Sequence, residues 1–147
     1  RLNVKALRDL TPQDLETVRT SLAPDDFQKA LYVLEENQRV ITFSEAIVNG
    51  DLKALGKLLI ESHEGLSKQY RVSCVELDFL VDCIRDNPDV LGGRMMGGGF
   101  GGCTINLVRK ESVAVLKQNI QSRFTLRFDR ECTFYEVKLS AGTHLIN

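Results

Sequence analysis

The stretch Val90-Leu91-Gly92-Gly93-Arg94-Met95-Met96-Gly97-Gly98-Gly99-Phe100-Gly101-Gly102-Cys103-Thr104-Ile105-Asn106-Leu107-Val108 decides the fold. Val90 to Met96 reads as a strand, Gly97 to Gly102 as a loop and Cys103 to Val108 as a second strand. In the second strand, Cys103, Ile105 and Leu107 alternate with Thr104, Asn106 and Val108, the period-two pattern of a strand with two distinct faces. Seven of the chain's 11 glycines lie within the eleven positions from Gly92 to Gly102. Without Cβ atoms such a backbone takes up φ > 0 and approaches a ligand closely, so that successive N–H groups form a concave anion site. A tight two-residue turn takes one or two glycines. The excess points to a ligand or another domain close by, the plain alternative being a hairpin that merely turns the chain.

Helices precede this stretch. Thr11-Pro12-Gln13-Asp14 supplies an N-cap, a proline at the first helical position and an acid in the first turn, so a short helix runs to about Leu22. Ala23-Pro24-Asp25-Asp26 opens a second helix. Its apolar stripe is Phe27, Leu31, Leu34, Ile41 and Val48, widened by Val33, Val40 and Ile47, and Asn49-Gly50 ends it. Asp51 caps a third helix with apolar face Leu52, Leu55, Leu58, Leu59 and Leu66, and the two form an antiparallel pair. Ser73-Cys74-Val75-Glu76 reads as a capping box before a fourth helix, with Leu77, Leu80, Val81 and Ile84 buried, which Asn87-Pro88 stops. After the glycine loop, Lys110 to about Ser122 returns to helix. Phe124-Leu126-Phe128 alternates with Thr125 and Arg127, and Cys132 to Leu139 forms a final strand in the same style. This order predicts an α+β domain: a small antiparallel sheet covered on one face by helices.

The 147 residues, with Lys+Arg 19 against Asp+Glu 20 and 43% hydrophobic residues, describe one soluble globular domain, 1–147. A net charge of -1 without a basic run lacks the electrostatic footprint of phosphate-backbone binding, which sets nucleic acid aside. No apolar stretch reaches the roughly 20 residues needed to cross a bilayer, so no membrane partner is expected. Cys74, Cys83, Cys103 and Cys132 form no CxxC pair, and His63 and His144 are not at ligand spacing to them. They read as reduced, buried cysteines of a cytoplasmic protein, and no metal ligands are assigned. The chain opens on Arg1 rather than Met, which suggests a piece of a longer protein.

Gly97, Gly99 and Gly102 satisfy G-x-G-x-x-G, but a dinucleotide fingerprint lies between a strand and a helix, and here a strand follows. No Gly-Lys-Ser/Thr closes the loop as a phosphate-cradling Walker loop requires. Cys103 has no neighbouring His in sequence, and a buried strand cysteine is the better reading than a nucleophile.

The run Gly93-Arg94-Met95-Met96-Gly97-Gly98-Gly99-Phe100-Gly101-Gly102-Cys103 resembles the third conserved motif of galactokinases, within the GHMP family that also contains homoserine, mevalonate and phosphomevalonate kinases. Gly50-Asp51-Leu52, Gly56-Lys57-Leu58-Leu59, Glu61-Ser62-His63, Tyr70-Arg71-Val72-Ser73-Cys74 and Glu76-Leu77-Asp78 resemble the helical stretch before that motif. Glu35-Glu36-Asn37-Gln38-Arg39-Val40, Phe134-Tyr135 and Gly142 fit as well. The resemblance covers nearly the whole chain. Family motifs of the N-terminal half, including the Ser-rich phosphate loop and the catalytic aspartate and arginine, have no counterpart here. Met96 stands where the family usually has threonine, so a hydroxyl is replaced by a thioether.

The resemblance implies a ferredoxin-like C-terminal domain of a two-domain sugar kinase that transfers the γ-phosphoryl of ATP, with Mg²⁺, to the C1 hydroxyl of galactose. It implies partners in the kinase's own N-terminal domain and in galactose and ATP, with ATP and Mg²⁺ bound mainly by that other domain. No catalytic residue is expected in this chain, which alone is inactive. Carried over as lining of the substrate and ATP-phosphate cleft are Gly97, Gly98, Gly99, Gly101 and Gly102, with Phe100 anchoring the loop against the core, Met96 and Arg94. For Arg94 a surface ion pair is the alternative. Glu61-Ser62-His63 reads as a satisfied interdomain or capping cluster. Two other functions fit the same residues: a free-standing α+β module binding a small anionic metabolite through the loop, and a kinase for a related sugar such as N-acetylgalactosamine or arabinose.

Overall fold

Proline fixes the φ of the first helical turn, and Thr11 completes it: its hydroxyl accepts from Asp14 N–H while the Asp14 carboxylate accepts from Thr11 N–H, opening α1, Pro12–Thr17. The computed structural model of the chain describes residues 4–138. A 3₁₀ turn, Arg19–Ser21, leads to α2, Pro24–Val48, which ends where Gly50 takes up φ 65°. The Asp51 carboxylate accepts from Ala54 N–H at 2.9 Å and starts α3, Leu52–Glu64, which folds back on α2. A π-helical turn, Gly65–Gln69, extends α3 before α4, Val75–Arg85. Then come β1, Val90–Met96, and β2, Cys103–Val108, followed by a 3₁₀ turn and α5, Val113–Phe128.

The strand–loop–strand reading holds residue for residue. β1 and β2 pair antiparallel from Val90↔Val108 to Met96↔Cys103, with one irregularity between Val90 and Gly92. Helices α3 and α4 cover the strands. Leu77, Val81, Ile84 and Met95 are fully buried and form the centre of this core, each contributing roughly 1.5–3 kcal/mol of transfer free energy. Leu15, Phe27 and Leu34 make a second cluster that joins α1 to α2. The small antiparallel sheet with helices over it is the α+β class expected.

The structure corrects several local readings. Phe124 to Phe128 is helix, not strand: Leu116, Ile120 and Phe124 recur at i, i+4 and are buried, while Leu126 is 90% exposed. A five-residue alternation is too short to outweigh a helical stripe begun two turns earlier. Residues 132–138 form no strand, and Leu139, Gly142 and His144 lie outside the described residues. Cys132 N–H is instead donated to the Gln121 side chain at 3.1 Å and Lys117 reaches Glu136 at 2.8 Å, which holds this segment along α5. The α2 stripe is buried only through Leu34; Val40, Ile41, Ile47 and Val48 are exposed because no described element covers that face. The capping box at Ser73 does not form either: Cys74 is the N-cap, without a side-chain cap, and the Ser73 hydroxyl bonds Asp78 instead.

The described residues fall into two compact units that divide between Val113 and Ala114. Among them no helix is long and apolar enough to cross a membrane. Cys83 is buried, but Cys103 is exposed, against the expectation of a buried strand cysteine. It is the first residue of β2, directly after the loop, on a strand face that no described element covers.

Candidate functional site

Five of the six loop residues have φ in the left-handed half of the map: Gly97 (89°), Gly99 (87°), Phe100 (59°), Gly101 (140°) and Gly102 (102°). For a non-glycine residue such a conformation is strained, and it persists only where the surroundings enforce it. Here the enforcing contact is with the segment before α4. Phe100 N–H is donated to Val72 O at 2.7 Å. Gly99 lies so close beneath it that a β-carbon there would fall within the Val72 carbonyl and 2.8 Å from Val72 Cβ. Val72 is itself fixed by its N–H to Leu66 O at 3.0 Å, and the preceding Arg71 has φ 59° and pairs with Asp25. The loop is thus seated on Val72 through its backbone.

That seating revises the role expected of Phe100. Its ring is 77% exposed and anchors nothing in the core; the anchor is its amide. Met96 is 47% exposed and Ile105 39%, and Cys103 is exposed beside them. Met96 faces Cys103 across the hairpin and Ile105 follows on the same side, so the loop rises from an exposed apolar strip of these three. Gly97, Gly98 and Gly101 face open space, since a β-carbon on any of them would meet nothing within 4 Å. Gly98 is singular among them because its φ is not left-handed either, so no contact or conformation within the described residues calls for glycine there.

Arg94 sits in β1 opposite Ile105 and is half-buried. Among the described residues it makes no ion pair, and its charge acts on Tyr32, a buried residue of α2. Burial, followed by the Glu36 carboxylate, pushes the Tyr32 phenol up to about 12, so it is protonated throughout the physiological range.

Sequence reasoning left the support beneath the loop unread. His63, 3% exposed at the end of α3, accepts the Met95 N–H on Nδ1 at 3.2 Å. Its proton therefore lies on Nε2, which is 3.2 Å from Asp78 Oδ1. Burial holds the imidazole below its ordinary pKa, with Asp78 opposing, so the contact is a hydrogen bond from a neutral ring. Asp78 also accepts from Ser73 Oγ at 2.5 Å and from Ser67 Oγ at 3.0 Å. Neighbouring Ser62 is buried and donates to Glu36 at 2.6 Å; Glu36 also pairs with Arg39, and Glu61 lies within 4 Å of Arg39 and Lys57. Ser62 and His63 are thus buried and satisfied, with the partly exposed Glu61 at their edge. Among the described residues no group of three or more His, Cys, Asp or Glu side chains is arranged to hold a metal ion.

Residues 43–126 match the family model described as GHMP kinases C terminal. The galactokinase of Thermotoga petrophila is 41% identical over 145 residues, which span 99% of this chain and 40% of that protein. Those of Clostridium beijerinckii and Bos taurus are 34% and 36% identical over 98% and 99% of this chain. The crystal structure of Lactococcus lactis galactokinase complexed with galactose superposes with a TM-score of 0.87 at 30% identity, over 92% of this chain and 35% of that one. The chain spans about two-fifths of the length of the first relatives it matches.

Proposed function

The chain belongs to the GHMP kinases C-terminal family, and from that membership we propose that it is the C-terminal domain of a cytoplasmic galactokinase. The proposed enzyme transfers the γ-phosphoryl of ATP to the C1 hydroxyl of galactose. The names of its relatives and of the galactose-bound structural neighbour support the substrate. The observation that carries a role for this domain is Gly98: a position with open space and an unrestricted φ gains nothing from glycine inside this chain. A small residue there serves the close approach of something outside it.

Phosphoryl transfer is mostly positioning and charge stabilisation, with reacting oxygens held in line. In this reading the N-terminal kinase domain supplies the catalytic aspartate and arginine. Gly97 to Gly102 forms the opposing wall, bringing backbone N–H dipoles against the triphosphate and sugar, and Met96 and Phe100 close the rim with apolar surface that excludes water. Arg94 contributes positive charge behind the wall. Among the described residues no group of three or more His, Cys, Asp or Glu side chains is arranged to hold a metal ion, so Mg²⁺ would be held by the N-terminal domain, where it would neutralise phosphate charge.

The test is galactose-dependent consumption of ATP with Mg²⁺, run on this chain and on the complete product of its gene. Turnover by the complete product and none by this chain is expected. Turnover by this chain alone, or refusal of galactose by the complete product, overturns the reading.

A further inference from the structure

The glycine loop is tied to its unit at two points on different elements, its entry at Met95 and its middle at Phe100. Met95 N–H points away from β2, so it would be an orphaned buried donor without the Nδ1 of His63. Phe100 N–H rests on Val72 O, whose neighbour Ser73 donates its hydroxyl to Asp78 Oδ1. His63 Nε2 meets that same oxygen atom at 3.2 Å. One carboxylate oxygen thus joins the two supports: from Met95 through His63 to Asp78, then through Ser73 to the peptide that carries the loop's middle.

We infer that His63 and Asp78 are positioning residues for the glycine loop, setting its height above the cleft by locking both of its backbone supports to one carboxylate. The inference rests on the proposed function for what the loop acts on, but its geometry is independent of substrate. A filler histidine would leave its ring nitrogens to whatever lay nearby. Here one nitrogen is committed to the strand entering the loop and the other to the acid that orients the loop's seat, which is the arrangement by which a supporting shell fixes a site within fractions of an ångström. Such fixation matters in phosphoryl transfer, where a displacement of about 1 Å costs on the order of 100-fold in rate.

The experiment uses Asp78→Asn, Ser73→Ala, His63→Ala and His63→Asn. Amide hydrogen exchange is followed in this chain, and kcat and KM in the complete gene product. Exchange at Met95 and Phe100 is expected to rise about tenfold or more in Asp78→Asn and Ser73→Ala relative to Val81 and Ile84 in α4. His63→Asn, whose amide oxygen can still accept from Met95, is expected to restore protection there that His63→Ala loses. In the gene product, kcat should fall more than KM rises. Equal acceleration of all four amides, or none at any, overturns the inference, as does a KM effect without a kcat effect. Were the wild-type gene product to refuse galactose, the exchange data would still decide the positioning role, so the two failures are distinguishable.

Discussion

Gly56 of α3 and Gly92 of β1 meet backbone to backbone. A β-carbon on Gly92 would fall 2.6 Å from the Gly56 carbonyl carbon and 2.7 Å from its Cα, and one on Gly56 would penetrate the Leu91 carbonyl. The helix therefore lies directly on the strand with no side chain between. The obstructing atoms are main chain, which cannot rotate aside as a side chain can.

Gly56→Ala and Gly92→Ala are accordingly expected to destabilise the protein by about 3 kcal/mol, at the upper end of overpacking costs. Urea unfolding monitored by circular dichroism measures this. A midpoint unchanged in either variant would mean that helix and strand are not in contact.

Within the loop, neighbouring glycines should separate stability from activity. Gly98→Val faces open space and is expected to change stability by no more than about 0.5 kcal/mol while lowering galactose phosphorylation in the complete gene product at least tenfold. Gly99→Val, with φ 87° and Val72 beneath it, should abolish activity and also cost about 1–3 kcal/mol. Full turnover by Gly98→Val returns the loop to a simple chain reversal.

Two buried groups predict opposite pH limits. The unfolded chain binds a proton at His63 near pH 6.5, whereas burial lowers the folded pKa. Facing the ring, Asp78 and Asp82 favour the proton and Arg85 opposes it. Between the two pKa values the unfolded state holds more protons, so stability falls as pH drops below about 6.5. For Tyr32, pushed up to about 12 from 10.0, stability is full below the lower value and is lost as pH rises toward the upper. Urea midpoints against pH give the acid limb, which His63→Asn should flatten, and phenolate absorbance together with circular dichroism gives the alkaline one. A midpoint rising on acidification would contradict the neutral buried imidazole.

The open patch beside the loop predicts both reactivity and association. A thiol reagent is expected to label exposed Cys103 before buried Cys83. The chain by itself is expected to self-associate at high concentration, and Phe100→Ser with Ile105→Thr to reduce that. Sedimentation as a clean monomer at every concentration would sink the second expectation.

The hairpin was legible because its signals are local: period-two alternation on either side of a glycine run leaves little else for Val90 to Val108 to be. The caps at Thr11 and Asp51 were legible for the same reason. What escaped depends on contacts distant in sequence. Nothing near Phe100 announces that its amide, and not its ring, holds the loop, because the acceptor is Val72. Nothing near His63 names Met95, 32 residues on. The misread Phe124 to Phe128 shows the converse, a short local alternation overruled by the helical stripe of Leu116 and Ile120 that Phe124 continues. The α2 stripe was correctly seen as apolar, yet whether a face is covered is a property of its neighbours.

The direct contact of α3 with β1 also bears on how the polypeptide is made. Gly56 leaves the ribosome about 36 residues ahead of Gly92, a lag of roughly 2 to 7 s at ordinary synthesis rates. Through that interval the nascent α2–α3 pair carries a bare strip of helix backbone with no strand to lie on it. Once Val108 has followed, a further 16 residues on, the hairpin closes within microseconds. The slow event in the birth of this domain is therefore the arrival of the complete β1–β2 hairpin, and a chaperone shielding the strip would have to let go before it docks.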